Sequence, residues 1–412
     1  MLFRTKNDYS KNPNLYKGSV SSIADRCEMK RPLHPEKTTG QSGRFKTLRR
    51  DKDGDFLNFD CFLRDFGSYH VKSTGTFGVA TFGSKVSYLI RQRSFQIALV
   101  LWVFISLAAV ALCHGTMPLP IGPHPGLPSA MVIFSSIALV FLVLEIGLVA
   151  LITRRRPIPD LAERAPERGV ALRETLLLWI YGVVVLLAGR VIGLHFFGEG
   201  IALHLNGSLV GATRLQSPRE VYTWAAYNGI LFALIPYVVF RLRGYSHEQM
   251  NLKSSNLKSD VIVIFVAMAV GCFMDLALGG TFLRLTHHQQ VVGGLLSLIF
   301  HLVGTDLPVM IFIYAILLPR YAKLTTPVTA FLLGAASYPA MHLLESWTRY
   351  DTFTDSVLSV IVVFLTFFPP GVMKSFLTMR TGNAWVHMWG FHAISPHVTV
   401  DTRLIVADFH IQ

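Results

Sequence analysis

Apolar residues in this chain gather into long continuous runs, with short polar or basic connections between them. Each run approaches the roughly 20 residues that an α-helix needs to cross the hydrocarbon core of a bilayer. Eight such runs lie near 97–113, 129–152, 174–197, 222–240, 261–283, 291–319, 326–347 and 356–377. A shorter ninth, studded with polar residues, covers 383–396. The pattern predicts an all-α, polytopic transmembrane helix bundle of about eight helices. The first run follows Arg91 and Arg93 but begins behind a long polar leader, too deep in the chain for a cleavable signal peptide.

Composition agrees. With 51% hydrophobic and only 15% charged residues, the chain is too apolar for an ordinary soluble protein. Its formal charge of +13 is distributed in a telling way. The connection after the first run carries no Lys or Arg, whereas the next holds Arg154, Arg155, Arg156, Arg164 and Arg168. Arg241, Arg243, Lys253 and Lys258 follow the fourth run, Arg320 and Lys323 the sixth, and Lys374 and Arg380 the eighth. Since cytoplasmic loops carry the excess of positive charge, the N-terminus and the connections at 153–173, 241–260, 320–325 and 374–382 are expected in the cytoplasm. This points to a multi-pass protein of a bacterial inner membrane.

Residues 1–90 mix Lys and Arg with Asp, Pro, Gly and Ser and lack helical period, which reads as a disordered basic leader. Its "RFKTLRR" could touch anionic lipid, but the interleaved Asp51, Asp53 and Asp55 favour a solvated tail. No aromatic-interleaved basic stripe points to nucleic acid. Cys27, Cys61, Cys113 and Cys272 are scattered, so neither a zinc knuckle nor a disulfide framework is indicated. Residues 91–220 hold the N-terminal membrane helices, and 401–412 read as a C-terminal tail.

Ionisable residues inside membrane helices are costly and mark candidate function. Glu145, Arg190, Asp275, His301, Asp306, His342, Glu345, His387 and His392 all fall in runs, most densely toward the C-terminus. Tyr338, His342 and Glu345 are spaced by four and three residues and so share a helical face, as a site or as a packing ladder. His387 and His392, five apart, diverge by roughly 140° on an α-helix. Only one of them can join His342, and His392, on the side of Trp385 and Trp389, is the choice. No HExxH pair occurs, no serine has a GxSx context, and no metal or cofactor is assigned.

The stretch from about 222 to 401 resembles the CPBP intramembrane proteases, the CAAX-processing and bacteriocin-processing family that includes the Ras-converting enzymes. The resemblance lies in "NGILFALIPYVVFRLRGYSHEQMNLKSSN", "AILLPRYAKLT", "SYPAMH" and "MRTGNAWVHMWGFHA". It implies that 221–400 form a membrane-embedded core carrying three motifs: Glu-Glu-x-x-x-Arg, Phe-x-x-x-His and His-x-x-x-Asn or Asp. In that family a glutamate activates water, while histidines and an amide stabilise the oxyanion.

The second motif is present as Tyr338 to His342. The third is placed at His392, where its last position falls on Pro396. The first is absent, because Val309 and Met310 stand where the glutamates belong and Tyr314 stands at the Arg. Asp306 and Glu345 are the carboxylates left to supply a base, so the candidate catalytic set is His342, His392, Asp306 and Glu345. The lost motif implies an inactive binding or scaffold member of the family, with membrane lipid and a membrane or lipid-modified peptide as partners. The alternatives are an active CAAX-type endopeptidase with a relocated carboxylate, a proton-coupled transporter using Asp275, Asp306 and His301, and a protein whose polar residues only join helices. Against the transporter, the two halves show no repeated pair of broken helices.

Overall fold

A computed structural model describes residues 90–113, 128–198, 200–205, 217–278 and 280–412. The leader expected over 1–90 lies outside the described residues except for Ile90. Eight long helices follow one another: α1 Arg93–Leu112, α2 Pro128–Ile152, α3 Arg168–Phe197, α4 Pro218–Leu242, α5 Leu257–Leu278, α6 Gln289–Leu324, α7 Pro327–Met341 and α8 Phe353–Thr381. The chain closes on short helices: α9 Ala384–His387, prolonged by a wider π turn over Met388–His392, then α10 Ser395–Thr399 and α11 Thr402–Asp408. Among the described residues there is no strand, and the architecture is the expected all-α bundle. All but α7 of the long helices are long and apolar enough to cross a membrane, which makes this a multi-pass integral membrane protein.

The helices differ in what surrounds them. Leu99, Val100, Phe104 and Leu107 of α1 and Leu176, Ile180, Val184 and Val191 of α3 stay exposed, as side chains facing lipid do. At the centre stands α6, whose residues Met310 to Leu317 are all buried, and a helix apolar on every side belongs in the interior. It is not a uniform α-helix. Wider turns occur over Gln289–Gly293, Leu302–Asp306 and Met310–Leu317. Such turns redirect the side chains they carry and are frequent at functional sites.

The α7–α8 pairing follows from two residue choices. Pro339 has no N–H, so it cannot bond the Ala335 carbonyl one turn back. Gly371 of α8 approaches that carbonyl so closely that an added Cβ would lie 2.3 Å from the oxygen. No other residue fits there without moving one helix. The helix stops at Met341, so His342 and Glu345 lie just past its end, not on the helical face their spacing predicts.

One end of the bundle collects the basic connections. Arg156, after α2, pairs with Asp260 of α5 and donates to the Thr381 carbonyl at 2.7 Å. Arg164 donates to Asn251 at 2.8 Å, and Arg380 to the Thr153 hydroxyl at 2.8 Å. Glu174 of α3 accepts from Arg320 Nε at 2.8 Å, with Arg243 2.7 Å away and the Tyr245 hydroxyl donating at 2.9 Å. These contacts bring together the connections that charge alternation assigns to one side.

Two expectations are corrected. Residues 374–382 are not a loop, because α8 continues to Thr381 and stops only at Gly382, whose φ of 67° caps it. Lys374 therefore sits buried inside the bundle. Residues 401–412 are not a trailing tail either. Leu404, Ile405 and Val406 are buried, and Val406 reaches Gly293 at the start of α6, where an added Cβ would meet it at 2.5 Å.

Arg320 and Glu174 are each 1% exposed, whereas Arg243 is 42% exposed. Removing one partner of a buried ion pair strands the other at a cost of about 3–5 kcal/mol, while an exposed pair contributes about 1 kcal/mol or less. Arg320→Met should therefore lower the unfolding midpoint of the detergent-solubilised protein well below that of Arg243→Met. Equal effects would contradict this assignment.

Candidate functional site

The turns and breaks of the inner helices deliver polar side chains to one buried region. His301 and Asp306 bracket the wider turn Leu302–Asp306 of α6. Between α3 and α4, residues 201–205 pass through the interior, and their backbone is satisfied there. Trp224 Nε1 and Asn228 Nδ2 donate to the Ala202 carbonyl at 3.1 and 2.8 Å, and the Thr305 hydroxyl donates to the Leu203 carbonyl at 2.8 Å. His204 is thereby held against α6 and α7. Tyr338 and His342 come from the end of α7, Glu345 from the turn after it, His392 from the wider turn following α9, and His397 and Asp401 from α10 and the residue before α11.

Asp306 is at the centre. Its Oδ1 lies 3.1 Å from His392 Nδ1 and 3.4 Å from His397 Nε2. The other nitrogen of His397, Nδ1, is 2.8 Å from Asp401 Oδ2, and that oxygen is 3.4 Å from His301 Nε2. His301 stacks on His397 with ring centres 4.4 Å apart, and its Nδ1 lies 2.8 Å from the Ser297 carbonyl. The Tyr338 hydroxyl bridges Nε2 of His392 at 3.2 Å and Nε2 of His204 at 3.3 Å. The His204 ring lies 4.5 Å from that of His342, whose Nδ1 is 2.6 Å from the Tyr338 carbonyl and whose Nε2 is 4.0 Å from Glu345 Oε1. Glu345 Oε1 also accepts from the His204 backbone N–H at 3.3 Å. Phe367 of α8 stacks on His342 at 4.0 Å, and Lys374 Nζ sits 3.4 Å above the Tyr338 ring.

All four sequence-derived candidates, His342, His392, Asp306 and Glu345, meet in this cluster. His387 does not. It bonds the Thr378 hydroxyl at 3.0 Å and packs on Tyr314, outside the cluster. Val309, Met310 and Tyr314 lie in the apolar core. Asp275 is bonded by Ser395 at 2.6 Å and Thr399 at 3.1 Å, and Arg190 stacks over Tyr350.

Four members escape the sequence reading. His204 falls outside every apolar run, and its one signal is a histidine within the short apolar stretch "IALHL". Lys374 reads as a loop cation. His397 and Asp401 carry the His-x-x-x-Asp spacing sought at His392, one register later, as "HVTVD".

Chemically the cluster is rich in unmet demand. Both carboxylate oxygens of Asp306 lack a hydrogen-bond partner, as do His204 Nδ1, His301 Nε2, His342 Nε2, His392 Nδ1, His397 Nε2 and Asp401 Oδ1. Asp306 Oδ1 nevertheless lies 3.1 and 3.4 Å from two imidazole nitrogens, so the separations suit hydrogen bonds and the angles do not. Imidazoles and carboxylates so placed can move a proton, hold a developing oxyanion or ligate a metal ion.

The cluster is closed: its histidines and carboxylates are at most 8% exposed, whereas His247, His287 and His288 are on the surface. Diethyl pyrocarbonate should modify those three in the folded protein and spare His204, His301, His342, His392 and His397 until it unfolds, as read by peptide mass spectrometry. Modification of the cluster in the folded state would contradict a sealed site. No protein-family model, curated protein or solved structure matches this chain, so the geometry and chemistry of this cluster carry the functional argument.

Proposed function

We propose that this protein is an intramembrane hydrolase that cleaves an amide bond in a membrane-embedded or lipid-modified peptide, the endopeptidase with a relocated carboxylate among the sequence expectations. One observation carries the reading: Asp306 contacts His392 and His397 inside a sealed cluster that also holds the Tyr-x-x-x-His pair Tyr338 and His342. A carboxylate among imidazoles can take the proton of an attacking water, and the neighbouring donors can then hold the negative charge that develops on the carbonyl oxygen. In this mechanism Asp306 is the base and returns the proton to the leaving amine nitrogen as the C–N bond breaks, and His342 and the Tyr338 hydroxyl face the oxyanion. Glu345 positions His342 and the His204 backbone. The His397-x-x-x-Asp401 spacing supports the family resemblance by supplying its third motif one register after His392. By the positive-inside rule, the basic end of the bundle faces the cytoplasm.

A second reading, an inactive member that binds such a peptide, is favoured by Val309 and Met310, which occupy the register of the family's glutamates and are buried in apolar surroundings.

The experiment uses purified protein in proteoliposomes with an internally quenched prenylated peptide. Asp306→Asn should lower turnover by roughly 10²–10⁴-fold, because the amide keeps the shape but cannot accept the proton. The surface variant His247→Ala should cleave like wild type, and Glu345→Gln should lose less than Asp306→Asn. Absence of cleavage by the wild type, or cleavage unaffected by Asp306→Asn, contradicts the proposal, and a larger loss from Glu345→Gln moves the base to that residue.

A further inference from the structure

We infer that His204, His392 and His397 form a binding site for one divalent first-row transition-metal ion of the zinc class, with Asp306 beside it. The inference rests on the proposed function only in locating the ion at the same cluster.

Distance is the first argument. One ring nitrogen from each of His204, His392 and His397 lies within 4.8 Å of the other two, with all three side chains buried. Asp306 Oδ1 lies 3.1 Å from His392 Nδ1 and 3.4 Å from His397 Nε2. Three protein ligands with an open fourth position are the set of a catalytic zinc ion, and Asp306 is then the carboxylate next to it.

Orientation is the second. At those separations an imidazole and a carboxylate normally make a hydrogen bond, yet Asp306 Oδ1, His392 Nδ1 and His397 Nε2 all lack one. An imidazole nitrogen that ligates a metal directs its lone pair at the ion and not at a neighbouring carboxylate, which produces short separations without donor–acceptor alignment. Buried polar groups without partners are costly and rare, and a bound cation would satisfy this set at once.

The surroundings are the third. A metal-bound histidine usually presents its second nitrogen to an oxygen that fixes the ring and its tautomer. His397 does so toward Asp401 Oδ2 at 2.8 Å, and the Tyr338 hydroxyl stands at 3.2 Å from His392 Nε2 and 3.3 Å from His204 Nε2. In each of the three rings one nitrogen is thus engaged by an oxygen and the other is unpartnered. Three imidazoles suit zinc and other borderline divalent ions better than calcium or magnesium, which take oxygen ligands. Lys374, the nearby cation, directs its ammonium at the Tyr338 ring face at 3.4 Å. No HExxH could announce such a site, because its ligands come from a loop, the turn after α9 and α10.

The test is the metal content of the full-length protein, purified in detergent without chelators and measured by inductively coupled plasma mass spectrometry. Wild type and the surface variant His247→Ala should each hold about one equivalent of a zinc-class ion, the single ion that a mononuclear site takes. The double variant His392→Ala/His397→Ala should fall at least several-fold below that. A second measurement needs no variant: wild type reconstituted with Co²⁺ should show the intense visible bands of tetrahedral cobalt. A metal-free wild type that gives a featureless cobalt spectrum overturns the inference, as does metal retained in full by the double variant. Metal present without peptide cleavage would remove the proposed hydrolase and leave the site. Cleavage by metal-free protein would do the reverse.

Discussion

A polar side chain buried among membrane helices has no water to turn to, and this cost shapes the inner half of the protein. Each such group must find its partner within the chain or take one from outside it. At the basic end the first solution holds: Arg156, Arg164, Arg380 and Arg320 are spent on Asp260, Asn251, Thr153 and Glu174, and α2, α3, α5, α6 and α8 are tied together by those contacts. At the histidine cluster the chain's own groups do not suffice. Asp306 and five imidazoles retain unpartnered atoms, and that difference separates a structural polar network from a candidate site.

The irregular places in the helices are what bring the cluster about. A straight α-helix would send His301 and Asp306, five residues apart, to different faces by roughly 140°. The wider turn at Leu302–Asp306 instead carries both into the cluster. α7 ends at Met341, where His342 turns back onto the Tyr338 carbonyl, and Gly371 allows α8 close enough to stack Phe367 on His342. These departures from regular geometry concentrate on α6, α7 and the segment after α8, while the lipid-facing α1 remains a plain apolar cylinder.

This division explains what was legible in the sequence. The helices were, because a membrane span needs an uninterrupted apolar run, and every run in the string became a helix. Asp306, His342, Glu345 and His392 were legible as ionisable residues within runs. His204 was not, since it sits in a connection, and only the fold shows that the connection passes through the interior, held by Trp224, Asn228 and Thr305. Lys374 was misread as a loop cation because charge alone does not tell where a helix stops, and the cap at Gly382 decides that. His397 and Asp401 lay past the last apolar run, where "HVTVD" looks like a polar tail until α10 and α11 fold against α6.

The central claim is that Asp306 and the histidines around it act as one interacting unit. A double-mutant cycle on the unfolding free energy of the detergent-solubilised protein tests this directly, with Asp306→Asn, His397→Ala and their combination. Residues that share a network couple by about 0.5–3 kcal/mol, whereas distant independent sites add within about 0.3–0.5 kcal/mol. The account predicts coupling within the first range for Asp306 with His397, and additivity for Asp306 with the surface residue His247. Additive effects of Asp306→Asn and His397→Ala would contradict it.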